Sequence, residues 1–336
     1  MPHSSPLRTA VIGAGAFGRN HVRVYSELAR SGAVELAAVV DAAGSPEQRD
    51  LSAQHGARFF TSVDALLDAG LNLTAASVCV PTVLHSQIAS RLLQAGIHVL
   101  VEKPLSSTLA EADALLALAS ARHLVLQVGH LERFNPAVTA LLPHLDRPMF
   151  FECHRLSIFT PRSLDVDVVL DLMIHDLDIV LQMAQSRLQE IRAVGLAVLS
   201  RHTDIANVRL EFESGCVANF TASRVSTERV RKLRLFQPHQ YISVDYARQD
   251  ALIIDVTQDA QSANAESPQL PGLNFTKLEI VPGEPLRLEI EAFLEAIRTG
   301  KSSPVPARQS RDALALALAV NEAIATHRQR AGLSPA

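Results

Sequence analysis

Among the polar residues of the mostly apolar segment VVLDLMIHDLDIVLQM, which covers residues 168–183, three share a helical spacing. Asp171 is followed four residues later by His175 and seven residues later by Asp178. Since an α-helix turns once every 3.6 residues, this spacing predicts one narrow polar stripe on a mostly apolar helix. Imidazole transfers protons near neutral pH, and a carboxylate one turn away orients the ring. The stripe therefore indicates either proton transfer or a structural Asp–His pair, whereas Asp176 lies off it and receives no role.

A glycine-rich sequence, GAGAFG, occupies residues 13–18 between an apolar run and a helical pattern that starts near Arg19. Gly13 permits a tight strand-to-helix turn, Gly15 lets the backbone approach a pyrophosphate, and Gly18 lets the helix lie close to its strand. Ala16 and Phe17 belong to the same loop, at the helix N-terminus that attracts phosphates. The motif predicts a dinucleotide-binding loop, and the alternative is an ordinary glycine-rich turn.

A second strand-like run, VELAAVVD, ends at Asp41, which stands 23 residues after Gly18. This is close to the position where dinucleotide-binding folds carry a ribose-binding acid. Because a carboxylate accepts hydrogen bonds from both ribose hydroxyls and repels a 2′-phosphate, Asp41 favours NAD over NADP. Arg49 is the residue that would instead reach a 2′-phosphate.

Two further motifs follow apolar runs. The sequence VPTVLH places Pro81, Thr82 and His85 after one predicted strand, and VEKP places Glu102 and Lys103 at the end of the next. Open α/β sheets bind ligands at the carboxyl ends of their strands, so these residues are expected to face the cofactor. Lys103 alone also fits a surface lysine beside a turn.

The first 130 residues alternate strands and helices as a doubly wound sheet does. Apolar runs predict strands near 9–12, 35–40, 76–80, 98–101 and 124–128, and helical patterns lie near 19–30, 46–55, 84–95 and 109–121. From about residue 148, alternating segments predict an antiparallel sheet instead. The segments are 150–157, 191–199, 208–224, 232–236 and 241–246, and two helices near 286–298 and 310–329 close the chain.

This pattern predicts an α/β protein, with a dinucleotide-binding Rossmann domain over 1–130 and a substrate-binding α+β domain over 131–336. The second domain is expected to hold a large, mainly antiparallel open sheet. The stretch 257–274 is polar and resembles a linker. A chain of 336 residues exceeds what one hydrophobic core usually organises, which agrees with two domains.

Composition excludes several other classes. The net charge of −4 gives no general attraction to nucleic acid or to an anionic membrane. Cys79, Cys153 and Cys216 are odd in number and far apart, which argues against a disulfide framework and a cysteine-rich zinc site. The N-terminal residues lack the apolar region of a signal peptide, and no apolar run is long enough to span a bilayer. We therefore expect a cytoplasmic protein.

Taken in order, GAGAFG, the terminal Asp41, VPTVLH, VEKP and D-x-x-x-H-x-x-D resemble the Gfo/Idh/MocA oxidoreductases, and the similarity extends to the closing helices. The resemblance implies a Rossmann domain, a C-terminal α+β domain with an open sheet, sugar or cyclitol substrates, and homodimers or homotetramers formed through that sheet. In this family many members carry glycine two residues before the histidine, where this chain has Met173.

Three phrases are similar to one branch of the family, the UDP-N-acetylglucosamine 3-dehydrogenases: VGHLERFNPAV, DLMIHDLDIV and VDYARQDALII. That branch oxidises the sugar 3-hydroxyl before an aminotransferase acts in lipid A synthesis. The resemblance makes Arg133 and Asn135 candidates for substrate contacts, since a guanidinium suits a diphosphate. Alternatively, Asn135 caps a helix that begins at Pro136, and Arg133 is a residue of that helix start.

The resemblance implies a mechanism of hydride transfer from a sugar carbon to NAD, with no metal. His175 is the expected base because the ordinary pKa of imidazole is near 6.5, whereas that of lysine is about four units higher. Lys103 is expected to donate a hydrogen bond to the developing oxyanion, and Asp171 to orient His175 or bind a neighbouring hydroxyl. The alternatives are a dehydrogenase of a free sugar or inositol, and a non-catalytic sensor that keeps the fold.

Overall fold

The computed structural model describes residues 6–32, 34–160, 166–256 and 272–333. The chain forms two compact units, one built from residues 1–131 with 284–314 and the other from residues 132–283 with 315–336. Among the described helices, none combines the length and the apolar character needed to cross a bilayer.

The first unit is built on a six-stranded parallel sheet. Its strands are β1 Leu7–Ile12, β2 Val34–Val40, β3 Arg58–Phe60, β4 Ala75–Val78, β5 His98–Glu102 and β6 Leu126–Gly129. Their order across the sheet is β3-β2-β1-β4-β5-β6, so the chain switches direction between β1 and β4. Ligands of open α/β sheets bind outside the carboxyl ends of the strands at such a switch point. The Rossmann fold predicted from the sequence is confirmed.

The helices of the described residues are α1 Gly18–Ala29, α2 Pro46–Gln54, α3 Val63–Asp68, α4 His85–Gln94, α5 Leu109–Ala121, α6 Pro136–Leu141, α7 Ile174–Ala184, α8 Pro285–Thr299 and α9 Ala307–Arg330. Local sequence explains several starts. Ser45 accepts a hydrogen bond from the backbone of Gln48, whose side chain bonds back to the backbone N–H of Ser45. Thr108 and Glu111 form the same reciprocal cap before α5. These caps satisfy N–H groups that a helix start otherwise leaves without partners.

Helix α8 belongs to the first unit, although it lies late in the chain. Its residues Leu286, Ile290 and Phe293 share a core cluster with Val11 and Tyr25. The sequence prediction placed everything after residue 130 in one second domain, and the structure differs for residues 284–314. The reason is physical: an amphipathic pattern predicts a helix with one buried face but does not identify the surface that buries it.

The second unit holds an eight-stranded sheet of order β14-β13-β12-β11-β7-β10-β9-β8. The strands are β7 Phe150–Ile158, β8 Leu188–Leu196, β9 Ile205–Phe212, β10 Val217–Ser226, β11 Val230–Gln237, β12 Gln240–Asp245, β13 Asp250–Val256 and β14 Leu273–Lys277. Neighbouring strands pair antiparallel except β10 with β7, which pair parallel. The mainly antiparallel sheet predicted from the sequence is confirmed.

One face of this sheet packs against helices and is called here the helix-covered face. Alternate residues of β7 and β11, such as Cys153 and Leu233, share a buried cluster with Leu177 of α7 and Val320 of α9. The period-two alternation of buried and less buried residues along β7 and β9 follows from this one-sided burial. Helix α7 is therefore held by the sheet that faces it.

The sequence predicts one alternating segment over 208–224, but in the structure this range contains the end of β9, a turn and most of β10. Gly215 takes a φ of +83° in that turn, a conformation that glycine adopts without strain. Most of the linker-like stretch 257–274 lies outside the described residues.

Candidate active site

The glycine loop between β1 and α1 is built by close backbone contacts. At Gly13, where φ is +93°, a Cβ atom would lie 2.5 Å from the carbonyl oxygen of Cys79. At Gly18 a Cβ atom would lie 1.9 Å from the carbonyl oxygen of Gly13. Above Gly15, by contrast, there is open space. The first and third glycines thus allow the loop to close, and the second leaves room for a group approaching its backbone.

A cleft of about 240 Å³ opens beside this loop. Gly13, Gly15, Asp41 and Pro81, four of the residues that the sequence assigns to a cofactor site, line this cleft. Its remaining lining includes the apolar side chains of Val40, Val63, Leu84 and Ile88. Apolar walls with a few placed polar groups are typical of small-molecule sites.

Asp41 follows β2 and holds the loops on both sides of the cleft. Its Oδ2 accepts a hydrogen bond of 2.7 Å from the backbone N–H of Ala14, and its Oδ1 accepts one of 3.0 Å from that of Ala43. Arg49 donates to the carbonyl oxygen of Gly44 and lies over the ring of Phe59. The carboxylate is thus fixed at the cleft, and the guanidinium of Arg49 already has neighbours in its own unit.

The predicted residues outside the cleft lining occupy different settings. Ala16 and Phe17 are exposed on the glycine loop, and Gly18 is buried where α1 begins. Thr82 is half-buried in a short 3-10 turn, Thr82–Leu84, that precedes α4. The ring of Phe17 meets the ring of His21 edge-on at 5.5 Å.

The VEKP motif lies at the end of β5, with Glu102 buried and Lys103 half-buried. Glu102 Oε1 lies 2.8 Å from Nε2 of His21, a buried residue of α1. A Cβ atom on Gly129 would approach the same carboxylate to 2.8 Å, so the space for Glu102 depends on a glycine in β6. Residues of β5, α1 and β6 thus fix the side chain of Glu102, the residue next to Lys103. His21 was not identified from the sequence, although it follows the glycine motif on the first turn of α1.

His21, Glu102 and Cys79 also bring three possible metal-ligand atoms within 4.8 Å of one another. The pKa of the Cys79 thiol is raised well above its usual value, by burial first and then by Glu102 and Glu289. Among the described residues, the group is therefore a His–Glu pair with 2.8 Å between Nε2 and Oε1, beside the Cys79 thiol.

His85 was expected to face the cofactor, and the structure gives its ring two partners inside the protein. Nδ1 lies 2.8 Å from the carbonyl oxygen of Pro104, and Nε2 lies 2.9 Å from that of Val80. Burial lowers the pKa of His85, although both carbonyl contacts act in the opposite direction. The ring connects the end of the β4 segment with the residue that follows Lys103.

The predicted polar stripe in the second unit begins irregularly. Residues Val169–Met173 form a π-helical turn that runs directly into α7. Asp171 is half-buried in this turn, and His175 is 8% exposed on the first turn of α7. Such π turns occur frequently at functional sites, and they shift the residues before them relative to a regular helix.

Asp178, the third residue of the stripe, binds Arg133. The Nε and Nη2 atoms of Arg133 donate to the two carboxylate oxygens of Asp178 at 2.6 and 2.5 Å, and both side chains are buried. This fork-to-fork geometry is the strong form of an arginine–carboxylate pair. Arg133 is a candidate for substrate contact. At least two of its N–H groups, however, already donate hydrogen bonds inside the protein.

A second buried arginine was not foreseen. Arg155 of β7 donates to both oxygens of Asp176 at 2.8 Å and to Oε1 of Glu132 at 2.9 Å. Its guanidinium also lies 5.2 Å from the ring centroid of Tyr246. Asp176 received no role from the sequence because it lies off the stripe. Its partner is a strand residue 21 positions earlier, which helix spacing cannot identify.

Asn135 completes this network. Its side-chain oxygen accepts from the backbone of Ala137 and caps α6, while its amide donates to Glu132 and to the carbonyl oxygen of Tyr246. The capping role considered for Asn135 is observed. Its predicted contact with substrate stays a prediction.

The predicted residues are thus distributed over both units. Gly13, Gly15, Asp41 and Lys103 lie in the first, and His175 lies with Asp171 in the second. Within the first unit, the structure brings the glycine loop and Asp41 to one cleft. Within the second, it places Asp171 and His175 where the π turn joins α7.

The architecture and the glycine-loop cleft define an oxidoreductase with a nicotinamide-cofactor domain, and family models agree. Residues 7–130 match the model described as "Oxidoreductase family, NAD-binding Rossmann fold", and residues 144–239 match the GFO/IDH/MocA C-terminal domain. The chain belongs to the Gfo/Idh/MocA family of oxidoreductases.

Among individual proteins, the chain is similar to the UDP-N-acetylglucosamine 3-dehydrogenase of Acidithiobacillus ferrooxidans, with 37% identity over 96% of this chain and 99% of that protein. A solved structure of that enzyme superposes with a TM-score of 0.85 at 36% identity, covering 95% of this chain and 97% of the other. The inositol 2-dehydrogenase of Rhizobium meliloti is 25% identical over 96% of this chain and 98% of its own length. These similarities confirm the predicted family and its enzyme class.

Proposed function

We propose that this chain is an NAD-dependent dehydrogenase that oxidises the 3-hydroxyl of UDP-N-acetylglucosamine to a ketone. The observation that carries the proposal is the similarity to the Acidithiobacillus enzyme, which extends over nearly the full length of both chains. The 3-keto product would be the substrate of an aminotransferase, in the place in lipid A synthesis that the resemblance implies. The reaction runs in the cytoplasm, in a homodimer or homotetramer.

The residues of the first unit fit a dinucleotide. Gly15 leaves open space above its backbone, and a pyrophosphate in that space would lie at the positive, N-terminal end of the α1 dipole. Asp41 lies in the lining of the same cleft, where its remaining lone pairs suit ribose hydroxyls. When bound, NAD supplies the acceptor for the hydride that leaves the sugar carbon.

Side chains of the protein accept the proton of the substrate hydroxyl and stabilise the negative charge that develops on its oxygen. His175 accepts the proton of the substrate hydroxyl as the carbon–hydrogen bond breaks. Lys103 donates a hydrogen bond to the same oxygen, which becomes the ketone oxygen, and so stabilises its developing negative charge. Asp171 orients the His175 ring or binds a neighbouring hydroxyl. Glu102 and His21 act on Lys103 by fixing the end of β5.

A substrate panel tests the proposal. Purified protein is incubated with NAD and, separately, UDP-N-acetylglucosamine, N-acetylglucosamine and myo-inositol, and NADH formation is measured. We expect turnover with the nucleotide sugar and a kcat/KM at least a hundredfold lower with the other two. Turnover of a free sugar or cyclitol without the nucleotide would favour the inositol-dehydrogenase alternative, and binding without reduction in every case would favour a sensor.

Cofactor preference gives a separate prediction. Asp41→Asn should weaken NAD binding by roughly tenfold to a hundredfold, because a hydrogen bond to a charged group contributes about 1.5–3 kcal/mol. The variant should discriminate less against NADP, since the charge that repels a 2′-phosphate is gone. Steady-state kinetics with both cofactors measures the effect. Asp50→Asn, at an exposed carboxylate of α2, is the matched control. If the ratio of kcat/KM with NAD to kcat/KM with NADP is unchanged in Asp41→Asn, the assignment of Asp41 to the cofactor site is wrong.

A further inference from the structure

Arg155 of β7, Arg231 of β11 and Tyr246, the residue after β12, form a row across one end of the helix-covered face. Arg231 of β11 pairs with Arg155 of β7 on one side, and its carbonyl oxygen accepts from the N–H of Tyr246 on the other. Leu233, two residues along β11, is buried in the core of that face. Because side chains alternate along a strand, Arg231 projects from the same face as Leu233 and Arg155.

The charges in this row are unequally compensated. Arg155 donates to both Asp176 and Glu132, and these two carboxylates compensate the charge of its guanidinium. Within the described part of the chain, no carboxylate forms an ion pair with Arg231. Arg231 is exposed, and Arg229, the residue directly before β11, adds charge of the same sign.

The electrostatic surroundings agree with this geometry. Although Arg231 is exposed, the protein surrounds part of its side chain: the pKa of its guanidinium is lowered, by this partial desolvation first and then by the positive charge of Arg155, whereas Glu132 and Asp176 act in the opposite direction. An arginine stays charged in proteins, so Arg231 presents a cation that forms no direct ion pair with a carboxylate of the described residues. Its donors are therefore available to a bound anion.

The position of Arg231 relates it to the expected chemistry. Asp176, which holds Arg155, is the residue next to His175 on α7. Opposed residues of neighbouring antiparallel strands have Cα atoms about 4.5–5.5 Å apart. The backbone of Arg231 therefore lies one strand spacing from that of Arg155, which forms the ion pair with Asp176. The resemblance suggested Arg133 for the diphosphate, but the guanidinium of Arg133 donates two hydrogen bonds to Asp178 instead.

We propose that Arg231 binds the diphosphate of the nucleotide-sugar substrate and so determines the preference for a nucleoside-diphosphate sugar over a free sugar. This inference rests on the proposed function for the identity of the substrate. The planar guanidinium presents a fork of N–H donors that matches phosphate oxygens, and the contact is strengthened by opposite charge. Arg155 supports it by occupying Asp176 and Glu132, which would otherwise attract Arg231.

The test compares Arg231→Gln with Arg234→Gln. Arg234 lies on the same strand but on the opposite face, where it pairs with Glu152 at 2.8 Å. We expect Arg231→Gln to raise the KM for UDP-N-acetylglucosamine and the Kd for UDP alone by about tenfold to a hundredfold, the usual effect of losing a hydrogen bond to a charged group. The kcat and the Kd for NAD should stay within about twofold, a change worth less than RT. Arg231→Lys, which keeps the charge and loses the fork, should be intermediate.

The outcomes separate this inference from the proposed function. Calorimetry measures UDP affinity for the wild type and both variants. Because this measurement needs no turnover, it tests the role of Arg231 independently of which sugar is oxidised. Equal UDP affinity in the wild type and Arg231→Gln overturns the assignment, as does a loss of NAD affinity in its place. If the wild type binds UDP through Arg231 but does not oxidise UDP-N-acetylglucosamine, the assignment of Arg231 as an anion site is supported. The same result refutes the proposed substrate.

Discussion

His175→Ala is expected to lower kcat by about three orders of magnitude, within the roughly 10²–10⁴-fold range of general acid–base catalysis. The residue lies at the start of α7 with its ring mostly buried, and the alanine variant has no group there to accept the hydroxyl proton. NADH affinity, measured by fluorescence titration, should change little, since the glycine loop and Asp41 belong to the other unit. Added imidazole should restore part of the rate by entering the space that the ring leaves.

The controls for this prediction distinguish proton transfer from a structural role. His327→Ala, at an exposed position of α9, should retain wild-type kinetics. A structural Asp–His pair predicts instead that His175→Ala lowers thermal stability and that imidazole gives no rescue. A loss of NADH affinity as large as the loss of turnover would contradict the assignment of His175 as the base.

Arg155→Met is expected to cost about 3–5 kcal/mol of unfolding free energy, the usual effect of removing one partner of a buried ion pair. Asp176 and Glu132 are both nearly inaccessible to solvent, and each loses its cation in the variant. Two buried carboxylates of like charge would then lie near each other without compensation. Urea unfolding followed by circular dichroism measures the difference, with an unchanged m-value as the check that the same transition is compared.

Arg234→Met is the matched control, because its ion pair with Glu152 lies on the more exposed face of the same sheet. Pairs of that kind contribute about 0–1 kcal/mol. Adding Glu132→Gln and Asp176→Leu to Arg155→Met should recover part of the lost stability, since uncharged replacements relieve the uncompensated charge. Without any recovery, the loss would have to be assigned to packing around Arg155, and the electrostatic explanation would be wrong.

The sequence was most informative where the chemistry is local. The glycine spacing, Asp41 and the strand-end motifs all depend on neighbours close in the chain, and the structure brings Gly13, Gly15, Asp41 and Pro81 to one cleft. The alternation of strands and helices identified both sheets for the same reason. The short β3 and α3 were not predicted, because three and six residues are too few to display a period.

Features that depend on distant partners could not be predicted from one sequence. Asp176 and Asp178 stand two residues apart in the same apolar segment, yet Asp176 binds an arginine from a strand and Asp178 binds one from a turn before α6. The stripe assumed a regular helix, and the π turn that contains Asp171 has no sequence signal that spacing reveals. Arg231 lies just outside the predicted segment 232–236 and received no role from the sequence, since its significance depends on what Arg155 binds.

The return of α8 to the first unit determines how this chain can be divided. A fragment that stops at residue 131 would lack Leu286, Ile290 and Phe293, which cover Val11 and Tyr25. It would also lose Ser303, whose hydroxyl donates to Gln127 at 2.6 Å. Proteolytic or genetic excision of the nucleotide-binding half as one N-terminal piece would therefore yield an aggregation-prone polypeptide, and domain exchange between relatives requires both stretches to be transplanted together.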